Sequence, residues 1–88
     1  MKIMKEAMAG SLESSDCLIM VKPSEKLEIE IESIVQKRYG KQIRAAIEET
    51  LDEMGITSGY YKVQDKGAID YCLRARVQTV TRRGCEEQ

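Results

Sequence analysis

The sequence predicts an α+β fold: a mainly antiparallel sheet with two helices on one face, in the order β-β-β-α-β-α. Three observations carry this. Leu27-Glu28-Ile29-Glu30-Ile31-Glu32 alternates apolar and acidic residues with the period of a strand that has one wet side. Two other stretches, Val35, Tyr39, Ile43, Ala46, Ile47, Leu51 and Met54, then Ile69, Cys72, Leu73, Val77 and Val80, repeat at helical spacing. Strand-length apolar runs between turn-forming clusters fill most of the remainder.

Taken in order, residues 2–9 read as a first strand, although Met4, Glu6, Ala7 and Met8 also tolerate a helix. The polar cluster Gly10-Ser11-Leu12-Glu13-Ser14-Ser15-Asp16 favours a turn, because Ser and Asp side chains hydrogen-bond nearby backbone and Gly relaxes the steric limits. Cys17-Leu18-Ile19-Met20-Val21 is the second strand. It stops at Pro23, which cannot donate to a central ladder. After a turn at Pro23–Lys26, the acidic-apolar strand is expected to be antiparallel. Its glutamates form a solvated face whose like charges repel unless cations lie across from them.

Ser33 and Gln36 fit a capping box at the start of the first helix. Gly40 is a point where that helix can kink or begin afresh, and Gly55 is placed to end it. Tyr60–Gln64 is the fourth strand, and Asp65 in the turn Asp65-Lys66-Gly67 can cap the second helix. That helix is expected over Ala68–Arg83. Asp70 lies in its first turn, and Arg82, Arg83 and then Gly84 close it in the order the helix dipole favours. Arg74, Arg76, Arg82 and Arg83 give it a basic outer side that could steer docking onto acidic partners. The tail Cys85–Gln88 is expected to fray.

These 88 residues form one domain, 1–88, with one modest core and no room for a cleft between lobes. The 14 basic and 15 acidic residues nearly balance, so there is no global pull toward nucleic acid or an anionic membrane. No His is present, which removes a histidine base and imidazole metal ligands. The 4 Tyr, with no Phe or Trp, are too few for a base-stacking surface. Cys17, Cys72 and Cys85 are odd in number and widely spaced, a poor disulfide or zinc framework that suits a reducing cytoplasm. Cys17 and Cys72 fall on apolar patterns as small hydrophobes. There is no signal-peptide pattern and no apolar run near the ~20 residues that span a bilayer. No catalytic constellation emerges from the residues themselves. Glu13 and Asp16 flank the serines, but no base is paired with them.

Two blocks supply a functional expectation. Ala9-Gly10-Ser11-Leu12-Glu13-Ser14-Ser15-Asp16 resembles the prosthetic-group segment of the citrate lyase acyl carrier proteins, the gamma chains of that complex. Asp65-Lys66-Gly67-Ala68 with Leu73-Arg74-Ala75-Arg76 is similar to a second block of the same family, and Gly40–Arg44 falls on a comparable helix segment. With the length, these cover nearly the whole chain. Ser11 stands where the family usually has Thr, and the C-terminus is shorter than in some members.

The resemblance implies that Ser14 is the modified serine. It further implies that Ser14 carries 2'-(5''-phosphoribosyl)-3'-dephospho-coenzyme A, covalently attached through a phosphodiester. The chain would then be a non-catalytic carrier whose prosthetic thiol holds acetyl and citryl while citrate is cleaved to acetate and oxaloacetate. The partners implied are the citrate lyase alpha (acyl transferase) and beta (acyl lyase) subunits, a prosthetic-group transferase and an acetylating ligase, with no nucleic acid and no membrane. Ser11 is expected within or at the end of the first strand, its hydroxyl toward backbone; Ser15 shares the turn with Ser14, and only the family alignment separates the two. Alternatives are the carrier subunit of malonate decarboxylase, which uses the same group, and a binding module that docks through its basic helix. The four-helix acyl carriers are a poor match, because Ser15-Asp16-Cys17-Leu18 reverses their Asp-Ser-Leu order and has strand-like flanks.

Overall fold

A computed structural model describes residues 1–34 and 36–85. Val35 of the expected helix stripe, the Gln36 side chain of the capping box and the tail beyond Cys85 lie outside the described residues. The elements are β1 (Ala7–Gly10), β2 (Cys17–Lys22), β3 (Leu27–Ser33), α1 (Gln36–Glu53), β4 (Gly59–Asp65) and α2 (Asp70–Cys85). This is the expected order. The sheet runs β1-β2-β4-β3.

β1 and β2 form an antiparallel hairpin, and β2 pairs antiparallel with β4. β3, however, pairs with β4 in parallel. Alternating burial reports that one face is wet and says nothing about strand direction. Direction is set by the connection: α1 carries the chain back along the sheet, so β4 restarts beside the beginning of β3. The glutamate face is relieved as a solvated face requires. Glu30 is opposite Lys62 and accepts from the Tyr60 hydroxyl, and Gln64 donates to Glu32 at 3.4 Å.

Inward residues of β2 and β4 (Cys17, Ile19, Val21, Tyr61 and Val63) meet Ile43, Ala46, Ile47 and Leu51 of α1 and Leu73, Val77 and Val80 of α2 in one core. α2 packs on β1 and β2, α1 on β3, and the helices on each other. The Tyr61 hydroxyl finds its partner inside this core, 2.8 Å from Thr81 Oγ1. α1 runs unbroken through Gly40 and stops where expected: Gly55 N–H donates to the Asp52 carbonyl and Ile56 N–H to the Leu51 carbonyl, a Schellman ending. No helix among the described residues is long and apolar enough to cross a membrane.

Four expectations are corrected. The first strand begins at Ala7 rather than residue 2, because Met4 and Lys5 donate to the Gly84 carbonyl and Ile3 is buried against that helix end. Gly84 does not close α2 but lies inside it, buried. An added Cβ would sit 3.0 Å from Val21 Cγ1 and 3.3 Å from Ile3 Cδ1, so glycine here serves close packing rather than termination. Tyr39 and Ile69, counted in the helical stripes, are exposed at the helix starts. The basic outer side of α2 is largely engaged within the chain. Arg74 pairs with Glu49 and Asp70, Arg76 with Asp16, and Arg83 donates to the Met8 carbonyl.

Candidate functional site

The register brings four strand ends together. Gly10 faces Leu18, while Cys17 and Ser33 both face Asp65. The end of β1, the start of β2 and the ends of β3 and β4 therefore share one end of the sheet, from which both helices depart.

The serine turn is built there. Ser11 N–H donates to the Cys17 carbonyl at 3.1 Å and closes the hairpin, and Asp16 N–H donates to the Glu13 carbonyl at 3.2 Å. Ser14 and Ser15 are thus the two central residues of a tight turn, and both are exposed. Ser15 has φ 67°, the positive value that a type II turn demands at its third residue. A serine held there costs on the order of 1 kcal/mol, so the surroundings must enforce it. Gly10 is part of that enforcement. At φ 99° a Cβ would fall 1.8 Å from the Cys17 carbonyl oxygen, so only glycine lets the strands close this tightly at the root of the turn.

Asp16 holds the turn from inside. Its Oδ1 accepts from Cys17 N–H at 2.7 Å and from Arg76 Nε at 3.0 Å, and its Oδ2 from Arg76 Nη2 at 2.8 Å and the Ser11 hydroxyl at 2.7 Å. Cys72 Sγ lies 3.5 Å from Oδ1. The bidentate Arg76 guanidinium, then the Ser11 hydroxyl, hold the Asp16 carboxyl well below the usual carboxylate range. On the other flank, Ser15 N–H donates to the Lys66 carbonyl at 2.8 Å and Lys66 N–H to the Asp16 carbonyl at 2.9 Å. Asp65, buried, accepts from the Ser33 hydroxyl at 2.8 Å and from Ala68 N–H at 2.9 Å; because α2 starts only at Asp70, this ties down the turn before the helix rather than capping it as expected. The two sequence blocks thus meet in space.

Of the candidate serines, Ser11 is spent on the clamp. Its hydroxyl donates to a side-chain carboxylate and accepts from Glu13 N–H at 3.3 Å, rather than lying mainly against strand backbone. Among the described residues no side chain engages the Ser14 or Ser15 hydroxyl. Asp16 is unfit to act as their base, since both its oxygens are occupied and its proton affinity is low. The turn can therefore be acted upon, but it does not itself activate a serine. Cys17 is buried and its thiol is pushed up to about 12, chiefly by burial; burial also raises Cys72 and Cys85. None is a ready thiolate. No group of three or more Cys, Asp or Glu among the described residues could hold a metal.

Sequence reading missed the Asp16–Arg76 pair, which joins residues 60 apart. The only signal was an acidic residue placed directly before an apolar strand run.

A family model described as "Malonate decarboxylase delta subunit (MdcD)" matches residues 4–84. The chain is 51% identical over 85 residues to the citrate lyase acyl carrier protein of Albidiferax ferrireducens, covering 94% of this chain and 87% of that protein. It is 49% identical to the protein of that name from Haemophilus influenzae, with 99% and 92% covered. With that from Treponema denticola it is 42% identical, with 99% and 100% covered. Among solved structures it resembles a chain of a Pseudomonas malonate decarboxylase hetero-tetramer in complex with malonate. The TM-score is 0.82 at 18% identity, with 93% of this chain and 86% of that chain covered, a likeness of fold.

Proposed function

This chain belongs to the family of citrate lyase acyl carrier proteins, and from that membership we propose that it is the acyl carrier subunit of a citrate lyase, modified on Ser14. The observation that carries the proposal is the serine turn itself. Two exposed serines are presented on backbone clamped from both sides, with no base beside them among the described residues. A carrier needs this and little more, because the reactive group is the cofactor's and the chemistry belongs to its partners.

The group proposed for Ser14 Oγ is 2'-(5''-phosphoribosyl)-3'-dephospho-coenzyme A, which when bound supplies a thiol that holds acetyl or citryl as a thioester. The chain's own residues have simpler tasks. Ser14 offers the attachment oxygen, Asp16 and Arg76 fix the turn that offers it, and the protonated, shielded Cys17 stays out of acyl exchange. Tethering raises the local concentration of the acyl group at each partner site. The partners of this reading are the alpha and beta subunits of citrate lyase, the prosthetic-group transferase and the acetylating ligase. The compartment is the cytoplasm, where free thiols remain reduced.

A second reading, carrier of a malonate decarboxylase, is favoured by the family description and the solved neighbour. The identities of 42–51% to citrate lyase carriers weigh more than 18% to that neighbour. Intact mass tests the proposal. Co-expressed with the modifying enzymes, the wild type and Ser15→Ala should gain the group while Ser14→Ala stays at its unmodified mass. Peptide mapping to Ser15 or Ser11 would move the residue assignment. A wild type that stays unmodified would count against the carrier reading.

A further inference from the structure

The turn Glu13-Ser14-Ser15-Asp16 can cross in two ways that share one closing bond, Asp16 N–H to the Glu13 carbonyl. In a type I turn both central residues keep negative φ, which any residue accepts. In a type II turn the central peptide, here Ser14–Ser15, is turned over and the third residue takes positive φ. Nothing in a Ser-Ser pair favours the second, since a left-handed serine crowds its Cβ against adjoining carbonyl oxygen. Ser15 nonetheless stands at φ 67°, and among the described residues it is the one non-glycine with positive φ. The reason lies outside the turn. Ser15 N–H belongs to the central peptide and donates to the Lys66 carbonyl at 2.8 Å, while Lys66 N–H donates to the Asp16 carbonyl at 2.9 Å. Lys66 directly follows Asp65, which the ladders fix opposite Cys17 and Ser33. A type I orientation would turn the Ser15 N–H away and break its bond to Lys66. The sheet thus dictates the hand of the turn through one carbonyl, against the preference of the residue it acts on.

We propose that Ser15 is a positioning residue for the modification of Ser14: its left-handed backbone, imposed by the Lys66 carbonyl, holds the Ser14 carbonyl outward beside the Ser14 hydroxyl. The inference rests on the carrier reading and gives the two neighbouring serines different tasks. In a planar trans peptide the C=O and N–H point in opposite directions. With Ser15 N–H directed at Lys66, the Ser14 carbonyl is therefore directed away from β4, and no backbone N–H among the described residues reaches it. In the loading step the Ser14 Oγ–phosphorus bond forms, a phosphoanhydride bond of the activated donor breaks with departure of its terminal phosphates, and the hydroxyl proton passes to a base of the transferase. Such a displacement needs the attacking oxygen held in line with the leaving group, so the enzyme must grip the turn close to Ser14. An outward carbonyl gives a hydrogen-bond donor of the transferase an acceptor at that point. A turned-over peptide would present an N–H there instead, donor against donor, so loading draws only on the type II population.

The test follows loading by intact mass, with purified transferase, its activated donor and full-length carrier at varied concentration, beside proton NMR of the free carrier. In a type II turn the Ser14 Hα lies close to the amide proton of position 15, whereas in a type I turn the amide protons of positions 14 and 15 approach each other. The wild type should show the first contact. Ser15→Gly and Ser15→Asn, which accept positive φ, should keep it and load like the wild type. Ser15→Thr keeps the hydroxyl and is similar in size to Asn, but its β-branch opposes a left-handed backbone. It should shift the turn toward the second contact and raise KM for the carrier about fivefold or more, in proportion to the type II population lost, with kcat little changed. The remainder of its spectrum should stay that of the wild type. A role for the Ser15 hydroxyl would give the reverse order, Thr fast and Gly and Asn slow, and would overturn the proposal. Equal loading across the series, or a wild type that shows the type I contact, would overturn it too and leave the carrier reading standing. A wild type that is never loaded would overturn both.

Discussion

A single carboxylate organises the candidate site. Asp16 gathers a strand amide, a serine hydroxyl and one edge of a guanidinium, and so converts a loose polar loop into a defined turn. Asp16→Ala should lower stability by about 2 kcal/mol, because several charge-assisted bonds lose their acceptor together. Arg76→Ala should cost less, about 1 kcal/mol, since 39% of that side chain is exposed and water screens its charge. The double variant should resemble Asp16→Ala alone in urea unfolding, and simple addition of the two effects would dissolve the pair as a unit. The lowered carboxyl of Asp16 sets the sign of the acid dependence. Its contribution is complete above the ordinary carboxylate range, about pH 4, and is lost as pH falls below it. Asp16→Asn should therefore flatten the acid limb of a Tm-against-pH curve.

Among the elements, the hairpin and α2 are decided by close approach at glycine. Gly10→Ala places a methyl group inside the Cys17 carbonyl, and strand backbone cannot yield as a flexible side chain would. A loss of about 3 kcal/mol or more is expected, with the serine turn disturbed along with it. Gly84→Ala is more finely balanced. Alanine favours a helix interior by up to about 1 kcal/mol, while crowding a packed core costs about 1–3 kcal/mol. Ile3 is itself buried and packed toward Gly59, and Val21 is fixed in the central ladder at 3.0 Å. Crowding should win by about 1 kcal/mol in thermal unfolding, and a stabilised variant would show that the α2 contact is looser than described.

Across the whole molecule, stability lies in the core shared by three strands and two helices. Leu51 is fully buried, so Leu51→Ala should cost about 3 kcal/mol and lower Tm by roughly 12–24 °C. Glu30→Ala, on the wet face, should stay within about 0.5 kcal/mol. If Glu30→Ala did more damage, the faces of the sheet would be misassigned. The basic limb has its own signature. Burial pushes Cys17 from 9.0 and Tyr61 from 10.0 up to about 12 each. Both are neutral acids in the folded state, so unfolding lets them ionise, and stability must fall as pH rises from about 9 toward 12. Cys17→Ala should weaken that loss, leaving the part carried by Tyr61 and by the raised thiols of Cys72 and Cys85.

What the sequence determined was periodicity and punctuation. The alternation over Ile29–Glu32, the stripes through Ile43–Leu51 and Leu73–Val80, and the stop at Gly55 are local properties that hold in the structure, while Leu27 at the strand's start is exposed. The serine turn was legible for the same reason, since its signal lies in seven consecutive residues. The Ser14 assignment came from a family block rather than from physics. Only the tertiary structure decided the direction of β3, the use of Gly84 as a packing surface and the capture of Arg76 by Asp16. Each depends on what stands opposite a residue in space. A one-dimensional pattern records which side of a residue is dry, but not which partner dries it, so a basic helix face and an ion-pair clamp look alike until the chain has closed.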